Sequence, residues 1–110
     1  MRILKVGIIV AGMALTVSNV FAAKPSDETL SYCTSVSEMA GSIMKSRQNE
    51  VSMAKLMKAT AEDQATDALG AEVIKDAYST SAFRTEENQK RAVSQFENKW
   101  FMICLKAKDK

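Results

Sequence analysis

Residues 85–110 read TEENQKRAVSQFENKWFMICLKAKDK, and the spacing within them decides the fold. Gln89, Ala92, Val93, Phe96, Trp100, Ile103 and Cys104 recur at three- and four-residue steps, which puts them on one face of a helix. Thr85 stands in the N-cap position, with Glu86 and Glu87 in the first turn, and Lys106 and Lys108 close the far end. Acid at the start and base at the finish both suit the helix dipole. The stretch is predicted as a final helix running into the lysine-rich end.

Working back along the chain, the same period appears at Leu30, Cys33, Val36, Ala40, Ile43, Met44 and Arg47. Pro25 stops the preceding segment, Ser26 is positioned as N-cap, and Asp27-Glu28 suits a first turn, so helix one is predicted over about 27–48. Asn49-Glu50 reads as a corner. Ser52 then caps a short second helix with Met53, Leu56 and Met57 on one face, ending near Thr60. Thr60 and Asp63 suggest a capping box for helix three, although Glu or Gln is the usual partner. Helix three runs to about Ser79 and is predicted to bury Leu69, Val73, Ile74, Ala77 and Tyr78, with Gly70 marking a close helix contact. Ser79-Thr80-Ser81-Ala82 reads as a loop. Past residue 22 only Pro25, Gly41 and Gly70 represent proline and glycine, too few for strands joined by tight turns.

The beginning differs in kind. Arg2 and Lys5 precede an uncharged run from Val6 to Val17, and Val20-Phe21-Ala22 offers small or modest side chains three and one residues before a cut. That order is a secretory signal peptide's, removed after Ala22; the run is too short for the roughly 20 residues of a membrane span. The expected organisation is a cleaved signal at 1–22 and one domain at 23–110. Loss of Arg2 and Lys5 takes Lys+Arg from 15 to 13, equal to the 13 Asp+Glu, so the exported chain carries no net charge. A neutral surface gives no electrostatic case for nucleic acid or anionic lipid.

In an oxidising compartment Cys33 and Cys104, the only cysteines, are expected to pair. Cys33 lies early in helix one and Cys104 late in helix four, so the bridge requires the two helices to run antiparallel. The resulting register sets 36 against 101, 40 against 97 and 44 against 93, and brings 47 towards 90. Ala40 and Gly41 permit a close approach there. The expected fold is therefore all-α, a small bundle of three or four helices with one disulfide joining the first and the last.

Catalytic chemistry finds little support. The chain has no histidine, the commonest general base near neutral pH and a common metal ligand. Ser52-Met53-Ala54-Lys55 has a serine–lysine spacing without supporting motifs. The pairs Glu62/Asp63 and Glu86/Glu87 are better explained by helix starts than by glycoside cleavage. Met39, Met44, Met53, Met57 and Met102 suit core filling or a pliable groove better than a Cu(I) site, since no His or Cys accompanies them. No cofactor and no metal are expected.

Arg47-Gln48 is the most informative polar pair. At about 100° per residue Arg47 falls within the apolar stripe of helix one, where a guanidinium needs a carboxylate or helix-end carbonyls. The register brings the first turn of helix four near it. Arg47, Gln48, Glu86 and Glu87 are thus the candidate inter-helix clamp or binding residues, with Glu86 or Glu87 the expected partner of Arg47.

Tyr32-Cys33, the run Ile43-Met44-Lys45-Ser46-Arg47-Gln48 and the run Thr85 to Ala92, closing at Cys104, resemble a loose family of uncharacterised small exported helical proteins of proteobacteria and their phages or prophages. That resemblance implies no activity; it marks Arg47-Gln48 and the cysteine pair as a shared signature. The function expected is a non-enzymatic protein-binding module, periplasmic or secreted, without a lasting membrane anchor. The alternative is a chaperone of the acid-stress kind, similar in architecture alone.

Overall fold

Ser26 begins the first helix: its hydroxyl accepts the Thr29 amide at 3.0 Å, and Asp27 and Glu28 fill the first turn. This computed structural model describes residues 24–61 and 67–109. They form α1 (Asp27–Gln48), α2 (Met53–Ala61), α3 (Asp67–Ala77) and α4 (Glu86–Lys108). Residues 1–22, where a signal peptide is expected, lie outside the described residues.

The predicted corner after α1 is a left-handed helix cap. Glu50 has φ 62°, its amide donates to the Arg47 carbonyl at 2.9 Å, and the Val51 amide donates to the Ser46 carbonyl at 3.0 Å. Those bonds satisfy carbonyls left over at the helix end, in a conformation that glycine adopts more easily than glutamate. The chain turns at once into α2, where the Ser52 hydroxyl accepts the Lys55 amide at 3.1 Å.

Thr60 does not cap the third helix. It belongs to α2, and its hydroxyl donates back to the Leu56 carbonyl at 2.9 Å, a bond open to any threonine inside a helix. Asp63 lies outside the described residues, and α3 is described from Asp67. Gly70 faces α2: a Cβ there would strike the Thr60 methyl, so the close contact expected at Gly70 is present. α3 ends at Ala77, two residues before the expected end, in turns closed by the Ser79 and Thr80 amides on the Asp76 and Ala77 carbonyls. Thr85 caps α4, accepting the Asn88 amide at 3.1 Å.

α1 and α4 run antiparallel along their length, joined by Cys33–Cys104 with Cα atoms 5.6 Å apart. Gly41 sits against the Glu97 side chain, one residue from the expected 40–97 pairing. The core is built from Cys33, Val36, Ala40, Ile43 and Met44 of α1, Val73, Ile74 and Ala77 of α3, and Ala92, Phe96, Trp100 and Cys104 of α4. Leu69 and Tyr78 are only half-buried at its edge. α3 lies on α1, and α2, which buries no residue completely, lies on α3. Among the described residues no helix is long and apolar enough to cross a membrane.

Candidate functional site

Arg47 and Gln48 occupy the last turn of α1, beside the segment that leaves α3. The Gln48 side chain is buried, 5% exposed, and uses both ends of its amide. Nε2 donates to the Ser81 carbonyl at 2.8 Å, and Oε1 accepts the Phe83 amide at 2.7 Å. The Arg47 Nε donates to the Thr80 carbonyl at 2.8 Å, while the guanidinium carbon stands 4.9 Å from the centre of the Tyr78 ring. Tyr78 in turn donates its hydroxyl to the Val51 carbonyl, and Gln89 Nε2 donates to the Phe83 carbonyl at 2.8 Å. Arg47, Gln48 and Gln89 thus hold the irregular backbone between α3 and α4, whose polar groups have no ladder of their own, and Tyr78 ties its start to the α1–α2 corner.

The expected carboxylate partner is corrected. Glu86 pairs with Lys90 at 3.9 Å and Glu87 with Arg91 at 3.3 Å, each on its own helix and exposed. Arg47 had the right position on α1, but the backbone carbonyl of Thr80 reaches it first. Carbonyls occur at every residue, so nothing in the residue types marks Thr80 as the preferred partner. Gln89 and Tyr78 were missed in this role for the same reason.

A second polar tie joins α3 to α4. Asp76 accepts the Trp100 indole N–H at 2.9 Å and makes an ion pair with Lys99 at 2.8 Å. A tryptophan in an apolar stripe needs an acceptor for its N–H, and that need was the signal available. Among the described residues no group of three or more His, Cys, Asp and Glu side chains is gathered for a metal ion.

At the disulfide end the apolar surface exceeds what the fold covers. Trp100-Phe101-Met102-Ile103-Cys104-Leu105 is an unbroken apolar run on a helix, so it points in every direction around α4. Trp100 and Cys104 are buried against α1, but Met102 is 52% and Ile103 39% exposed. Ile103 shares the predicted face with Trp100 and Cys104, yet lies at its open edge. On α1, Leu30 and Tyr32 are also exposed, Tyr32 at 48%. Tyr32, Val36, Leu69, Trp100 and Ile103 line a groove of about 280 Å³ with the Cys104 end of the bridge in its wall. The Lys108 amine lies 4.5 Å from the Tyr32 ring centre at its mouth.

No family model matches the chain, and neither a curated protein nor a solved structure is found to be similar to it.

Proposed function

We propose that this chain is a small exported protein-binding module, without catalytic activity, that engages another protein through the disulfide end of the α1–α4 pair. One observation carries the reading: the six-residue apolar run of α4 is covered by α1 on one side, leaving Met102 and Ile103 open beside a groove floored by Val36 and Trp100. Surface of this kind, contiguous and apolar with a charged margin, is what protein interfaces use. The disulfide and the signal-like start support a periplasmic or secreted location, in keeping with the exported family that the cysteine and Arg47-Gln48 patterns resemble.

Photo-crosslinking from position 102 in intact cells tests the reading. A protein adduct is expected at 102, and none from an exposed position at the other end such as Lys90. Absence of any protein adduct at 102, with export and disulfide intact, overturns it.

A further inference from the structure

The open end carries a second helical face on α4. Met102, Ile103 and Lys106 share it, beyond Lys99, which Asp76 of α3 holds, and apart from the Ala92, Phe96, Trp100 and Cys104 line that meets α1. α1 has a matching outer line of Glu28, Tyr32 and Ser35, which border one hollow together with Lys108. That hollow runs into the apolar groove through Tyr32 and Lys108. Each chain therefore presents an apolar strip with acid on one helix and base on the other, a division of charge that complements itself.

We infer that the disulfide end binds the same end of a second copy of this chain, an inference that rests on the protein-binding reading above. A two-fold axis along the helices lays α1 of each copy beside α4 of the other, antiparallel as they are within one chain. The register fixed by Cys33–Cys104 then carries over. Tyr32 lies at the level of position 105 and meets Met102, Ile103 and Lys106 of the second copy. Glu28, four residues nearer the start of α1, comes level with the last turn of α4 and faces Lys106. The four tips form a ring in which every neighbour is antiparallel, so each helix dipole opposes the next. α3 rises from the inner edge of the groove at Leu69, so the two bodies diverge away from the joined tips. A small ligand in the groove leaves Met102 in water; a neighbouring helix covers Met102 and Ile103 together. Equal numbers of acidic and basic residues past Ala22 leave no net repulsion between copies.

Sedimentation equilibrium of the oxidised protein, produced from the full-length gene, provides the test. A monomer–dimer equilibrium is expected, with Ile103→Glu and Tyr32→Glu each weakening it at least about tenfold. Melting of the dilute monomer of each variant is measured alongside, and association lost by more than any loss of folding separates the two. Glu28→Lys and Lys106→Glu should each weaken self-association, while an equimolar mixture of the two variants recovers a dimer containing one chain of each. A wild-type chain still monomeric at about 1 mM, or a dimer indifferent to Ile103→Glu and to charge exchange, overturns the inference. If the monomer nevertheless gives an adduct with a different protein at position 102, the second copy is excluded and the protein-binding reading stands. A monomer with no adduct removes both.

Discussion

Gln48 makes the sharpest demand on the reasoning, because one buried amide serves two backbone groups of a segment 33 to 35 residues away. Gln48→Met keeps the length of the side chain and removes both hydrogen bonds. Each bond contributes about 1 kcal/mol net, and leaving the Phe83 amide or Ser81 carbonyl unpaired costs about 1–3 kcal/mol if water cannot replace the side chain. Ser81 and Phe83 are themselves exposed, so water reaches part of the site and the lower figures apply. The expected loss is about 2–3 kcal/mol, read as a fall in the urea midpoint at unchanged m-value. Gln48→Glu discriminates further. Its carboxylate can still accept the Phe83 amide, but its second oxygen meets the Ser81 carbonyl, and a buried charge faces another acceptor. The neutral acid can donate there, so folding raises the carboxyl pKa above its unfolded value of about 4.3. The sign follows from linkage: this variant is least impaired below about pH 4, and loses stability as pH rises through the raised folded value. It should therefore fall below Gln48→Met at pH 7 and recover towards wild type at about pH 4. A Gln48→Met loss under about 0.5 kcal/mol, or a Gln48→Glu loss independent of pH relative to wild type, would refute the account of this site.

Arg47→Ala should cost about 1–2 kcal/mol through the Thr80 carbonyl and the Tyr78 ring, whereas Glu86→Ala and Glu87→Ala should each stay within about 0.5 kcal/mol and add independently to it in thermal melts. Glu50→Gly, at the φ 62° cap, should be neutral or stabilising by up to about 1 kcal/mol; a clear loss in urea titration would show that the glutamate side chain matters more than the backbone there. Cys33→Ala should lower stability by about 2–5 kcal/mol, since the bridge closes a loop with a sequence separation of 71, and an unchanged melt would remove its role as a staple. Intact mass of the exported product should begin at Ala23; a product that keeps Arg2 would end the signal-peptide reading.

The parts of this molecule that could be read in its sequence are those written in side-chain periodicity. α1, α2 and α4 follow from three- and four-residue spacing and from Ser26, Ser52 and Thr85, because a cap acts on amides only two or three residues away. Pairing of Cys33 with Cys104 converted two local helices into an antiparallel pair, and only that covalent link made a long-range register accessible. Thr60 shows where local reading fails: the same hydroxyl can cap forwards or bond backwards to Leu56, and the choice is set by where α2 ends. Arg47 and Gln48 show the second kind of failure. The need of Arg47 for a partner was legible from its position within the apolar stripe, but the partners of the pair are backbone groups of Thr80, Ser81 and Phe83, which carry no residue-specific signal. The disulfide end follows a different logic. Trp100–Leu105 is too apolar for a helix with one covered side, and that excess is visible in the sequence as a run that ignores helical period. Burial of Trp100 and Cys104 accounts for one side of the run; Met102 stays 52% and Ile103 39% exposed. Met102, which breaks the pattern on which the helix was recognised, and Ile103, at the open edge of that pattern, are therefore the residues of the run that the chain covers least, which is why the case for a binding surface rests on them.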